Sequence, residues 1–252
     1  MKKYVILSPH LDDAVLSCGD YISYLIEQKC KVEVISVFAG DYNENCLSDM
    51  AKEFHSMCEL TNNIVEARRK EDKKAMELLG CSFIHMEFMD CIYRSNILGE
   101  FVYTDFCQIY ESNVHEEEEI VQNIKAEIYK LISDADVVLS PLAIGNHIDH
   151  MIVSYVARKL EKTCPEKMVF YEDFPYVLNY KLSEWKELVK DMNCKTIEFR
   201  ETFFINKLKA AKCYLSQNRM LWGNETERIE QMKSFSKRYV DSKGYGIRLW
   251  YL

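Results

Sequence analysis

The stretch Ser8-Pro9-His10-Leu11-Asp12-Asp13 decides the fold that this sequence predicts. It follows a short apolar run at residues 4–7, which is typical of a buried strand. It precedes residues 14–28, which have the pattern of an amphipathic helix. One histidine and two aspartates therefore lie at a strand-to-helix junction, where the chemistry of a protein is often placed.

The alternation of strand and helix patterns continues along the chain. Apolar and β-branched runs predict further strands at residues 32–38, 81–86, 136–140, 168–171 and 195–199. Helical periodicity predicts helices at residues 64–79, ended by Gly80, and at 116–132, 149–160, 204–217 and 227–239. Residues 40–61 and 87–113 show neither pattern clearly and are expected to be irregular.

This order of elements predicts an α/β fold, a Rossmann-like and mostly parallel sheet with helices on both faces. Ligands of such sheets bind outside the carboxyl ends of the strands, so the active site is expected at that edge. The 252 residues contain no internal repeat and no low-complexity linker, which favours a single domain over residues 1–252.

Composition argues against several classes of protein. The formal net charge of −8 repels phosphate backbones, so nucleic acid is not an expected partner. No stretch is long and apolar enough to span a bilayer, and the first apolar run stops too early at Pro9 for a signal peptide. We therefore expect a cytoplasmic protein, and the sequence leaves open whether it forms an oligomer. The ten cysteines form no CxxC pair, which is typical of reduced thiols.

A second group of candidate ligands follows the strand predicted at residues 136–140. His147, Asp149 and His150 would emerge at the same sheet edge as the first group, and the two groups face each other if their strands are neighbours. Two imidazoles and one carboxylate can hold a mononuclear zinc ion with a position open for water. The same set fits ferrous iron, so the ligands do not decide the metal. Adjacent aspartates at a helix start are also common caps.

At these residues the sequence resembles the PIG-L/LmbE-like zinc-dependent de-N-acetylases. The family pattern is a strand, then Pro-His-x-Asp-Asp, and later His-x-x-His with an aspartate inside, which here are residues 9–13 and 147–150. Ala14 stands where the family commonly has glutamate. Weaker similarities at residues 68–80, 90–94, 171–176 and 209–217 extend the resemblance over most of the chain.

The resemblance implies a metal site and a base. His10, Asp13 and His150 would bind Zn²⁺, with Fe²⁺ or another divalent metal as the alternative. Asp12 would be the general base for a water molecule acidified by the metal.

Further roles are implied for neighbouring residues. His147, in its protonated form, would polarise the substrate carbonyl or stabilise the tetrahedral intermediate, and Asp149 would orient a neighbouring histidine. Arg68 and Asp90 match positions that contact sugar hydroxyls, and Arg94 would pair with a substrate anion or with Asp90.

Glu172 and Asp173 follow the strand predicted at residues 168–171 and could line the pocket, although a simple turn explains them equally well. The implied activity is removal of an acetyl or other acyl group from an N-acyl amino sugar or glycoconjugate.

Three other functions are compatible with the sequence: an amidase acting on a non-sugar amide, a catalytically silent sugar-binding module and a ferrous oxygenase. Asp12 argues against the silent module, because binding alone needs no base. The oxygenase is disfavoured because its sites usually lie on β-barrels, whereas this sequence predicts an α/β fold. Dinucleotide binding is disfavoured for a separate reason: no GxGxxG turn follows the first strand.

Overall fold

The computed structural model describes residues 1–60, 63–163, 167–240 and 244–252, and a seven-stranded sheet forms its centre. The strands are β1 Lys3–Ser8, β2 Lys31–Ser36, β3 Ser82–His85, β4 Val137–Pro141, β5 Met168–Tyr171, β6 Asn193–Phe199 and β7 Tyr245–Tyr251. Their order across the sheet is β3-β2-β1-β4-β5-β7-β6. Strands β1 to β5 pair in parallel, and β7 runs antiparallel to both β5 and β6.

Ten α-helices lie within the described residues. They are α1 Asp13–Glu27, α2 Asp49–Met57, α3 Ile64–Leu79, α4 Gln108–Glu111, α5 Glu118–Leu131, α6 Ile148–Glu161, α7 Leu182–Trp185, α8 Glu201–Ala211, α9 Leu215–Leu221 and α10 Glu225–Lys237. Short 3₁₀ helices lie at Cys91–Tyr93, Val114–Glu117, Tyr176–Leu178 and Lys186–Val189. No helix in these parts of the chain is long and apolar enough to cross a membrane.

The pairing of β1 with β4 positions the site. Tyr4 lies opposite Val137 and Ile6 opposite Leu139, so the two parallel strands end at the same edge of the sheet. Val5 and Ile6 are both fully buried, as expected for a parallel strand covered on its two faces. The predicted α/β class and the mostly parallel sheet are confirmed, and α1 and α6 begin where these two strands end.

Strand β7 was not predicted, and the helix expected at residues 204–217 is in fact two helices. Strand β7 is defined by its two neighbours, since it pairs along its length with β6 and at its end with β5. Between α8 and α9, the Tyr214 hydroxyl donates to Asp72 Oδ1 at 2.6 Å, and the Ser216 N–H donates to Glu71 Oε1 at 3.0 Å. These contacts to α3 are tertiary, so local periodicity does not reveal the break.

Helix α2 lies inside the segment expected to be irregular at residues 40–61, of which Thr61 is outside the described residues. The helix begins where Ser48 Oγ accepts the Ala51 N–H at 3.0 Å, a normal N-cap. The predicted end of α3 is confirmed, because Gly80 has a φ of +75°, the left-handed conformation that glycine adopts readily.

A buried ion pair joins α1 to α8. The Lys207 ammonium group is fully buried, 3.4 Å from Asp20 Oδ2 and 3.3 Å from the Ser17 carbonyl oxygen. Asp20 Oδ2 also accepts the Ser236 hydroxyl at 2.7 Å. An aspartate buried at this depth depends on its cationic partner, because desolvation penalises an isolated charge.

We predict that Lys207→Met lowers the free energy of unfolding by about 3–5 kcal/mol, since it leaves Asp20 buried without a cation. Lys209→Met, on the exposed face of the same helix, is the matched control. It should change the free energy of unfolding by about 0.5 kcal/mol or less. Urea denaturation of both variants measures the difference. Equal stability of the two variants would contradict the prediction.

Candidate active site

The carboxyl ends of β1 and β4 bring the two predicted ligand groups together. The His10 ring centroid lies 4.9 Å from that of His147 and 5.4 Å from that of His150. All three rings are buried. The two groups thus face each other across the sheet edge.

Asp13 links the two groups. Its Oδ2 atom lies 3.2 Å from His10 Nδ1 and 3.3 Å from His150 Nε2. On the opposite side of the His10 ring, Nε2 lies 3.1 Å from Asp149 Oδ2. His150 Nδ1 likewise lies 2.7 Å from Asp173 Oδ1. Asp149 and Asp173 accept from the outer nitrogens, because an ionised carboxylate only accepts hydrogen bonds. In rings that bind a metal ion, the hydrogen would stay on these outer nitrogens and the inner nitrogens would offer their lone pairs.

The start of α1 gives the two adjacent aspartates different environments. Ser8 Oγ accepts the Ala14 N–H at 2.9 Å and so satisfies a free donor of the helix start. Asp13 Oδ2 accepts the His10 N–H at 2.8 Å, whereas the Asp12 carboxylate makes no capping hydrogen bond. Capping therefore does not explain Asp12, which lines a cleft.

Arg68 lies between Asp12 and Asp90 on the wall of this cleft. Its Nη2 atom is 3.7 Å from Asp12 Oδ1, and its Nη1 atom is 3.7 Å from Asp90 Oδ2. Burial and the Asp13 carboxylate raise the pKa of Asp12 to about 7, against the opposing effect of Arg68. A carboxylate with a pKa near neutrality is suited to accept a proton and to return it.

His147 caps α6 with its own ring. Its Nδ1 atom accepts the Asp149 N–H at 3.2 Å, so the hydrogen of the neutral ring lies on Nε2. Burial and the nearby His10 and His150 hold the pKa of His147 well below its ordinary value. This contact favours a ring that donates from Nε2, and the protonated form implied by the resemblance stays a prediction.

Asp149 is fully buried, with two hydrogen-bond contacts and one ion pair. Its Oδ2 atom meets His10 Nε2 and accepts the Cys91 N–H at 3.0 Å, while its Oδ1 atom lies 2.6 Å from Arg94 Nη1. Although burial opposes ionisation, Arg94 and His10 hold the pKa of Asp149 below its ordinary value. The carboxylate is placed to orient the ring of His10.

Arg94, expected to contact substrate or Asp90, does not line the cleft. Its guanidinium group instead contacts Asp149 Oδ1. A fully buried carboxylate needs such a cation close by to remain ionised.

Glu172 and Asp173 diverge. Glu172 does not line the cleft and binds β7, where it accepts from Arg248 Nε at 2.6 Å and from Trp250 Nε1 at 3.0 Å. Asp173 instead contacts His150 and also accepts the Ile144 N–H at 3.0 Å. Successive side chains at a strand end point to opposite sides, which separates the two neighbours. Nothing in the local sequence favours Asp173 over Glu172.

The cleft above these groups has a volume of about 350 Å³. Its floor is polar and its walls are mainly apolar, with wall residues from α2, α4 and α9: Phe54, Met57, Ile109, Met220 and Leu221. Gln217 on α9 adds one amide group to the wall. The sequence did not reveal these wall residues, because it predicts no helix at α2 and joins the start of α9 to α8. Gln217 does end the segment at residues 209–217 that resembles the family.

The donor set fits a divalent cation. Five buried carboxylates meet two buried guanidinium groups at this edge: Asp12, Asp13, Asp90, Asp149 and Asp173 with Arg68 and Arg94. Burial opposes a charge on His150, yet Asp13 and Asp173 raise its pKa to about 9, so the site attracts positive charge. His150 Nε2 is buried and makes no hydrogen bond. The distances around Asp13 Oδ2 resemble the separation of about 3.3 Å between ligands of a tetrahedral ion with bonds of about 2.0–2.1 Å.

Two other groups of donor atoms lie close together among the described residues: His10, His147 and Asp149, and also Asp90, Cys91 and Asp149. Both include Asp149, whose oxygens already meet Arg94 and the Cys91 N–H. The group of His10, Asp13 and His150 has no such competing cation on its shared carboxylate.

Comparisons with known proteins show the family of the chain. A sequence model of the PIG-L family, described as GlcNAc-PI de-N-acetylase, matches residues 5–160. A 2'-N-acetylparomamine deacetylase of Niallia circulans is 25% identical over 244 residues, which cover 90% of this chain and 84% of that protein.

Two solved structures share the fold. A deacetylase–bog complex from the biosynthesis pathway of teicoplanin is 25% identical, with a TM-score of 0.87 over 99% of this chain and 97% of that chain. The A40926 pseudoaglycone deacetylase is 26% identical, with a TM-score of 0.81 over 98% and 96% of the two chains.

We predict that Asp173→Ala weakens zinc binding by about 10–100-fold, because His150 loses the acceptor that orients its ring. The neighbouring Glu172→Gln is the control: it disturbs the contacts to β7 and should lower thermal stability without changing zinc affinity. Competition with a coloured chelator measures the affinity. A loss of the same size in both variants would show that general destabilisation, rather than the Asp173 contact, is responsible.

Proposed function

Because the chain belongs to the PIG-L family of GlcNAc-PI de-N-acetylases, we propose that it is a metal-dependent hydrolase that removes the acetyl group from an N-acetylated amino sugar or glycoconjugate. The observation that carries the proposal is Asp12, a buried carboxylate free of any capping bond beside the group of His10, Asp13 and His150. The similarity to deacetylases named for 2'-N-acetylparomamine and for the A40926 pseudoaglycone supports an amino-sugar substrate.

His10 Nδ1, Asp13 Oδ2 and His150 Nε2 would hold the ion, which we take to be Zn²⁺ with another divalent metal as the alternative. When bound, such an ion acidifies a water molecule and polarises an amide carbonyl. Asp149 and Asp173 contact the outer nitrogens of the two rings, so the inner nitrogens would face the ion with their lone pairs once the rings are neutral.

Asp12 acts as the base. It takes a proton from water as the water oxygen attacks the amide carbon, and it then delivers that proton to the nitrogen as the C–N bond breaks. The products are acetate and a free amino sugar. A pKa of about 7 matches both halves of this transfer, since the same group must accept and release a proton.

His147 contributes a neutral hydrogen-bond donor. Its Nδ1 is occupied by the Asp149 N–H, so Nε2–H is the polar hydrogen left for the carbonyl oxygen as negative charge develops there. A donor fixed by a helix start needs little reorganisation during the reaction.

Arg68, Asp90 and Gln217 supply the polar contacts for the sugar. All three line the cleft and together offer donors and acceptors for hydroxyl groups. The apolar walls from α2 and α9 accommodate the less polar parts of the substrate. We keep a non-sugar amide as the alternative substrate for the same residues.

We predict that dialysis against a chelator abolishes the release of acetate from N-acetylglucosamine-type sugars, and that stoichiometric Zn²⁺ restores it. The physical reason is that the His147 donor alone polarises the amide less than a divalent ion does and does not acidify the attacking water. Acetate release is followed by an enzyme-coupled assay across free and conjugated N-acetyl sugars. Full activity in the metal-depleted protein would contradict the proposal.

A second prediction separates the two aspartates. Asp12→Asn should lower kcat by about 10²–10⁴-fold, the usual contribution of a general base, while the zinc content of the protein stays at the wild-type level. Asp191→Asn, at an exposed position away from the cleft, is the matched control with normal kcat. Loss of zinc in the Asp12 variant would mean that the ligand and base roles of Asp12 and Asp13 are exchanged.

A further inference from the structure

We propose that Arg94 is a positioning residue for the metal site, acting through Asp149 on the ring of His10. The inference rests on the proposed function, because it concerns one of the side chains that would bind the ion. Arg94 itself touches neither the cleft nor the triad of His10, Asp13 and His150.

The guanidinium group of Arg94 is enclosed. Arg94 is 5% exposed, and its guanidinium carbon lies 5.2 Å from the Phe38 ring centroid and 5.4 Å from that of Tyr103. Two aromatic rings so placed hold a flat cation in one plane. This confinement fixes the direction in which its nitrogens point.

Both ends of the guanidinium group meet a carboxylate. Nη1 lies 2.6 Å from Asp149 Oδ1, and Nε lies 3.1 Å from Glu117 Oε1. Glu117 Oε1 also accepts the Tyr103 hydroxyl at 2.7 Å, which anchors the outer end at the start of α5. Arg94 thus connects a fixed carboxylate near the surface to a fully buried one beside the metal site.

The contact sets the orientation of Asp149. With Oδ1 held by Arg94, the other oxygen is directed at His10 Nε2 and at the Cys91 N–H. His10 then presents Nδ1 to Asp13 Oδ2 at 3.2 Å. Without Arg94, the backbone N–H of Cys91 is the remaining fixed donor, and one donor does not define the plane of a carboxylate.

The same contact also positions the cleft wall. Cys91 and Arg94 bind the two oxygens of Asp149 from one short segment, and Asp90 in that segment lies 3.7 Å from both Arg68 Nη1 and His10 Nε2. Arg94 thereby keeps Asp90, proposed to bind sugar, in position beside His10, a proposed metal ligand.

The test compares Arg94→Gln and Arg94→Lys with Arg158→Gln. Arg158 is the control because it also stacks on a ring, 4.8 Å from Phe170, and lies on α6 with Asp149, yet it binds the Leu188 carbonyl instead of the site. Zinc affinity is measured by chelator competition on the full-length chain. The ¹⁵N shifts of the His10 imidazole in the zinc-free protein report which ring nitrogen carries the hydrogen.

We expect Arg94→Gln to weaken zinc binding by about 10–100-fold and to change the His10 shifts, with a smaller loss in Arg94→Lys, which keeps the charge without the fork. Arg158→Gln should retain wild-type affinity. If Arg94→Gln does not fold, Arg94→Lys decides the question by the same measurement.

Wild-type zinc affinity in a folded Arg94 variant, or an equal loss in Arg158→Gln, would overturn this role while leaving the proposed function intact. A wild-type protein that binds no zinc and hydrolyses amides without it would overturn both.

Discussion

The carboxylate of Asp13, shared between His10 and His150, is the interaction on which the site depends. It joins the end of β1 to the start of α6, and it forms only because β1 and β4 are parallel neighbours. Each imidazole is held from behind by a second buried carboxylate, Asp149 or Asp173. Such a concentration of negative charge away from water is stable only with compensating cations, which explains both the buried arginines and the fit to a metal ion.

The fold and the centre of the site could be predicted from local sequence. The apolar runs at residues 4–7 and 136–140 mark strands that precede His10 and His147. Parallel strands place the residues that follow them at one edge of the sheet. The different environments of Asp12 and Asp13 also have a local origin. Ser8 Oγ accepts one N–H of the helix start, the Asp13 side chain accepts the His10 N–H, and the Asp12 side chain makes no cap and faces the cleft.

The remaining features depend on contacts distant in sequence. Asp173 and Glu172 face opposite sides of a strand end. The sequence predicts a substrate anion or Asp90 as the partner of Arg94, whereas the observed partner, Asp149, is remote in the chain. The break between α8 and α9 arises from bonds of Tyr214 and Ser216 to α3, and it is this break that brings Gln217 to the cleft. Strand β7 likewise exists because two other strands flank it. Periodicity carries no information about such partners.

X-ray absorption at the zinc K-edge of the metal-loaded protein tests the central claim most directly. Ligation by His10, Asp13 and His150 predicts a first shell of nitrogen and oxygen alone at about 2.0–2.1 Å, with the outer-shell scattering of two imidazole rings. A sulfur scatterer at about 2.3 Å would place the ion at Cys91 instead and contradict the account. A shell without imidazole scattering would contradict it equally.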